Sequence, residues 1–189
     1  MTLLPTKRDF SLRQYDRALT KSARAFRNHI VPILKQKLKL DKIISCEDKN
    51  SATKRDLDYK HCIDYQLFKG GRICGLANRI LFRAELNHKI TLRISRSNGT
   101  PTEHEKIKSA IENGGIYPEL FCVSCIVANS VKSCALIRTA DLMKFIEETN
   151  PPTRTNTDHD KNQTQEYFCF DWRDMLQCGY NVWILVDCA

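Results

Sequence analysis

The chain has 189 residues, 42% of them apolar and 28% charged, which suits one domain with its own core and excludes a disordered or membrane-embedded polypeptide. Without a run of about 20 apolar residues or a secretory h-region, the chain is expected to be soluble, cytoplasmic and without a membrane role. Residues 1–40 hold ten Lys+Arg against two Asp, while the other twenty Lys+Arg meet twenty Asp+Glu; the whole excess of +8 therefore lies at one end and favours a polyanionic partner.

Residues 1–40 are expected to form a basic helical segment packed on a domain of residues 41–189. Within residues 11–31, Leu12, Tyr15, Leu19, Ala23, Phe26 and Ile30 recur at three- and four-residue steps, the spacing of an amphipathic helix. Ser11 suits the N-cap, and Arg13, Arg17, Lys21, Arg24 and Arg27 fall largely outside the apolar stripe. Both a solvated face and a phosphate-binding face fit that pattern. Pro32 should kink or end the helix.

A short apolar piece, Ile43-Ile44-Ser45-Cys46, precedes the polar residues 47–54. Strands are expected at 62–68, 72–82 and 89–95, with Lys69-Gly70-Gly71 as the turn between the first two. In the third, Ile90, Leu92 and Ile94 alternate with Thr91, Arg93 and Ser95. Thr102-Glu103-His104-Glu105 spells a capping box, opening a helix that buries Ile107, Ala110 and Ile111 and stops at Gly114-Gly115. A hairpin of 121–128 and 133–138 follows, then a helix capped by Thr139 with Leu142, Phe145 and Ile146 on one face. Residues 150–166 contain Pro151-Pro152 and no large apolar side chain, and read as a mobile loop. Closing strands at 167–170 and 182–186 complete an α+β fold (α/β/α-like) with one mixed central β-sheet flanked by helices.

Nine cysteines cannot all pair, and their spacing is irregular. The CxxC, Cys122-Val123-Ser124-Cys125, lies in an apolar strand, where residues three apart face opposite ways. No second CxxC or HxxxH completes a zinc site, so reduced thiols and no zinc are expected. A GxxxxGK[ST] phosphate loop is also lacking.

The chemistry centres on residues 57–81. By strand parity Cys62, Asp64 and Gln66 share one face, and on the next strand Gly75, Ala77 and Arg79 share another. An Asp in so apolar a strand needs a partner. The small Gly75 and Ala77 leave space into which Arg79 can project beside Asp64. Either this is a buried pair that fixes a hairpin, or an acid and a cation that face a phosphate.

This order of elements, with Ile63-Asp64 on one strand and Ala77-Asn78-Arg79 on the next, resembles the core of the PD-(D/E)XK (restriction-endonuclease-like) nuclease superfamily. Gly75-Leu76-Ala77-Asn78-Arg79-Ile80, Thr102-Glu103-His104-Glu105-Lys106, Gly115-Ile116-Tyr117-Pro118 and Arg138-Thr139-Ala140-Asp141-Leu142 are similar to segments of a divergent microbial group, and together span residues 43–186. The resemblance implies a metal-dependent DNA endonuclease in which an Asp and a Glu hold Mg²⁺ or Mn²⁺ and a Lys positions the attacking water. Asp64 matches the Asp. Ile63 stands for the usual Pro, Ala77 for the Glu, and Arg79 for the Lys. Arg79 can stabilise a phosphate but is not a base. The second metal oxygen then falls to Asp58, Asp16 or Glu85. Arg13, Arg17, Lys21 and Arg24, with Arg93, Arg96 and Lys106, would hold the nucleic-acid backbone. From another class, the alternative is a non-catalytic nucleic-acid-binding or assembly module, with a protein partner or a homodimer, that kept the fold and lost the metal.

Overall fold

The computed structural model describes residues 21–46, 52–158 and 163–188. Leu12, Tyr15, Leu19, the Ser11 cap, Arg13, Asp16 and Arg17 lie outside the described residues. The basic helix runs through Pro32 and does not end there. A proline ring crowds the carbonyl four residues back and supplies no N–H. The turn ahead of it opens into a π-helical one, Phe26–Ile30, with the Val31 N–H reaching the Phe26 carbonyl, and α1 (Val31–Leu38) follows with Pro32 in its first turn.

The remaining elements, in chain order, are β1 (Lys42–Ser45), α2 (Ala52–His61), β2 (Tyr65–Lys69), β3 (Arg72–Phe82), β4 (Lys89–Arg96), α3 (Glu103–Glu112), β5 (Leu120–Val127), β6 (Ser130–Arg138), α4 (Thr139–Thr149), β7 (Thr153–Asp158), β8 (Gln163–Asp171), α5 (Trp172–Gln177) and β9 (Val182–Asp187). The fold is α+β, with a mixed central sheet of six strands flanked by helices in the order β1-β2-β3-β5-β6-β9. Its β3–β5 pair is parallel and its other pairs are antiparallel.

Three expectations need correction. The strands divide between two sheets, because β4 leaves the large one to pair with β8 in a second, three-stranded sheet of order β4-β8-β7. Alternation of side chains reveals a strand but not its partner, and this partner comes from far along the chain. Residues 150–166 are not a mobile loop throughout, since β7 pairs along β8. That pairing uses backbone groups, and β-branched Thr153, Thr155 and Thr157 suit an exposed edge without any large apolar side chain. Thr139 does not cap α4: Arg138 holds the N-cap position and Thr139 is buried inside the first turn.

The large sheet separates two apolar layers. On one face Phe26, Ile30 and Leu34 pack on Tyr65, Leu67, Leu76 and Leu136, with the Phe26 and Tyr65 rings stacked at 3.8 Å. On the other, Ala77, Phe121, Val123, Ala135 and Ile137 meet Ile107, the apolar side of α4, Trp172 and the inner side of the small sheet, Ile90, Leu92, Phe168 and Phe170. Burying one such large side chain contributes about 1.5–3 kcal/mol. The CxxC behaves as strand: Cys122 Sγ lies 3.9 Å from Cys134 Sγ, whereas Cys125 Sγ donates to the Glu85 carbonyl at 3.7 Å. Among the described residues no helix is long and apolar enough to cross a membrane.

Candidate functional site

The site begins where α2 stops. The Cys62 N–H bonds to the Asp58 carbonyl at 3.1 Å, the single bond that closes an αL cap, and the Ile63 N–H reaches the Leu57 carbonyl at 2.9 Å. Cys62 takes the left-handed position, φ 57°, that glycine normally fills. This turn delivers Asp64 to the mouth of β2, where its N–H donates to the Leu76 carbonyl at 3.0 Å and its carbonyl accepts from Cys46 N–H at 2.8 Å. The side chain turns back to β3, and Oδ2 accepts from the Asn78 N–H at 2.6 Å. Burial pushes the Asp64 carboxyl well above its ordinary pKa, with Glu103 and Asp58 adding to the shift and the Asn78 N–H and Arg79 opposing it.

Arg79 lies on the same side of β3 as Ala77, as strand parity requires. Its guanidinium does not bond Asp64, so the direct Asp64–Arg79 pair, one of the two arrangements open in the sequence, is not formed. The guanidinium bonds the carboxylate of Glu103 at the start of α3. Glu103 first, and Asp64 after it, push the Arg79 pKa up against the opposing desolvation. Glu103 is free for this because Glu105 does the capping: its Oε2 accepts from the Thr102 N–H at 2.7 Å and from the Thr102 hydroxyl at 2.9 Å.

The space expected beside Arg79 is filled. A side chain at Gly75 would meet Ile63 Cδ1 and Glu119 Oε2 at 3.0 Å, and Ala77 is fully buried between the layers. The position of the superfamily's Glu is thus part of the core.

On the α2 side, the Asp58 carboxyl is also pushed up, by burial first, with Lys106 opposing and Glu103 adding. The Lys106 ammonium donates to the Tyr59 carbonyl and sits 4.4 Å from the Tyr59 ring centroid, tying α3 to the end of α2. Burial raises the Cys62 thiol to about 12, so it is no thiolate nucleophile.

Asp58, Asp64, Arg79 and Lys106 are therefore brought together, joined by Glu103. Glu85 is not: it lies beyond the far end of β3, where its carbonyl takes the Cys125 thiol. Asp16, Arg13 and Arg17 lie outside the described residues. The Lys21 ammonium sits 4.1 Å over the Phe82 ring at that same far end, and Arg24 is exposed on the helix. Arg93 and Arg96 stand on β4 in the small sheet. A groove between α3 and α4, lined by His104, Ile111, Met143 and Phe168, contains none of the clustered acids.

Mg²⁺ takes oxygen ligands and needs only one or two carboxylates, with water and phosphate oxygens completing its shell. Asp64 with Asp58 or Glu103 fits that requirement, and a divalent cation would relieve the raised proton affinity of Asp58 and Asp64. Among the described residues no three His, Cys, Asp or Glu form a metal shell by themselves. Neither Glu103 nor Asn78 stands out in the sequence as part of this site. The one available signal is that a capping box uses its third helical residue, so an acid at the first, Glu103, has no capping duty.

No protein-family model, curated protein or solved structure matches this chain.

Proposed function

We propose that the Asp58–Asp64–Arg79–Glu103 cluster is the phosphodiester-hydrolysing site of a cytoplasmic, metal-dependent DNA endonuclease of PD-(D/E)XK type. The observation that carries this reading is the convergence of an acid from the turn that enters β2, a guanidinium from β3 and a second acid from α3 at one end of a mixed sheet. The β2–β3 hairpin, the later helix α3 and the parallel strand β5 also keep the order on which the resemblance rests.

In this reading Asp64, with Glu103 or Asp58, holds Mg²⁺ or Mn²⁺, which when bound supplies positive charge to the scissile phosphate and acidifies a water. Glu103 takes the oxygen role that Ala77 lacks. Arg79, already charged and aimed at the acids, faces the phosphate oxygens and offsets charge developing there. It moves no proton. Lys106, Lys21 and Arg24 contact the backbone without reading bases.

The Arg79–Glu103 bond and the burial of Ala77 favour a second reading, a nucleic-acid-binding or assembly module in which Arg79 has replaced the metal. The test is incubation of the protein with mixed nucleic acids and Mg²⁺ or Mn²⁺. The endonuclease reading expects cleavage by wild type and its loss in Asp64→Asn and Glu103→Gln, with nucleic-acid binding retained. Wild type that binds DNA but neither cuts it nor binds Mn²⁺ establishes the module instead.

A further inference from the structure

On the small sheet, Tyr167 of β8 stands directly opposite Arg93 of β4 on one side and Arg154 of β7 on the other. Residues paired in this way project from one face, here the one opposite the buried Phe168 and Phe170. The next row on the same face is Arg96, Gln165 and Asn156. Arg93 and Arg96 are three apart and would face opposite ways on a regular strand. A bulge between Arg93 and Ser95 brings them to the same side.

The Arg93 guanidinium lies 5.4 Å from the centre of the Tyr167 ring, and the Tyr167 hydroxyl donates to Gln165 Oε1 at 2.6 Å, which braces the ring. Nε of Arg93 and Nε of Arg96 are buried without a hydrogen-bond partner. Among the described residues neither arginine enters an ion pair. Two acids share the parity of this face, Asp158 at the end of β7 and Asp171 at the end of β8, and Asp171 is taken up by Arg173, at 2.6 Å, and by the cap of α5. Tyr167 also adds, after Glu103 and Asp64, to the upward push on the Arg79 pKa.

We infer that this face is a platform for single-stranded nucleic acid, on which a base stacks on Tyr167 while the neighbouring phosphates engage Arg93, Arg96 and Arg154. The inference rests on the nucleic-acid reading above and specifies its substrate as one with unpaired bases. A braced ring flanked by cations is the pairing that single strands use, since every base has a π face to stack. A duplex keeps its bases inside and offers a flat sheet its phosphates alone.

The test is fluorescence anisotropy, without divalent cation, using a labelled oligothymidine and a blunt duplex of equal length. Wild type is expected to bind the single strand more tightly. Tyr167→Leu should weaken that binding about 5- to 150-fold and remove the preference over duplex, while Tyr167→Phe keeps both. Arg93→Gln and Arg96→Gln should each flatten the log affinity against log salt slope by roughly 0.7. Equal affinity of wild type for the two probes overturns the proposal, as does a folded Tyr167→Leu that binds like wild type. If Tyr167→Leu does not fold, an unchanged salt slope in Arg93→Gln overturns it. Cleavage separates this proposal from the one beneath it. Tyr167-dependent single-strand binding without any cleavage by wild type leaves the platform standing and ends the endonuclease reading. Duplex cleavage untouched by Tyr167→Leu does the reverse.

Discussion

Arg79 is bonded to the carboxylate of Glu103, while Asp64 takes the backbone N–H of Asn78 in its place. The variant that strands the guanidinium is therefore Glu103→Gln, not Asp64→Asn. Breaking a fully buried pair costs roughly 3–5 kcal/mol. Arg79 is 34% exposed, so water recovers part of that, and Glu103→Gln is expected to lose about 1–2 kcal/mol in urea denaturation. Asp64→Asn should be neutral or stabilising at neutral pH.

The Asp58 and Asp64 carboxyls are both raised, by burial first. The native chain therefore keeps protons that the unfolded chain releases above about pH 4. Their favourable contribution is complete below that pH and is lost as pH rises through the native values. Thermal melts across the mildly acid range should show Tm of wild type falling relative to Asp64→Asn as pH rises; the comparison cancels groups such as Glu105 and Asp171, whose lowered values act in the opposite sense. Mn²⁺ at about 100 times its Kd should restore about 2.7 kcal/mol to wild type at neutral pH and nothing to Asp64→Asn. Parallel pH profiles for the two proteins would show that the Asp64 proton is not linked to folding.

Thr102 caps the helix that carries Glu103, with Glu105 closing the box. Thr102→Ala should cost about 0.5–2 kcal/mol and loosen the first turn of α3. Cleavage should fall further than stability alone explains, and Thr102→Ser should recover both. Melting and cleavage measured on the same three proteins decide the point.

Of the nine cysteines, Cys178 and Cys188 are exposed, while Cys62 and Cys74 are raised to about 12. An aromatic disulfide reagent at mildly alkaline pH should titrate two thiols rapidly in the native protein and nine after denaturation. Elemental analysis should find no zinc. Stoichiometric zinc lost on mutating Cys122 and Cys125 would contradict this.

A strand with alternating side chains, a strand marked by its turn and a helix with an explicit cap are legible in the residues themselves: β4 from Lys89, β3 after Lys69-Gly70-Gly71, and α3 with its Thr102–Glu105 box. α2 is not, because it holds almost no apolar side chain beyond Leu57 and so has no period to detect. β7 is hidden for the related reason that backbone pairing with β8 holds it. Parity correctly places Asp64 and Arg79 on one face. It cannot say which acid takes the guanidinium, since Glu103 arrives from a helix whose packing on the sheet depends on the long-range pairing of β4 with β8.

A π turn is an α-helix with one residue more than its neighbours need. Each residue of an α-helix advances the direction of its side chain by about 100°. The extra residue within Phe26–Ile30 thus sets the bearing of everything before it, including Lys21 over Phe82 and Arg24 in solvent. Removing Asn28 alone would swing those cations about 100° around the helix axis with every charge in the chain retained. The compass of the basic segment is a spacer, and the charges themselves have no say in where they point.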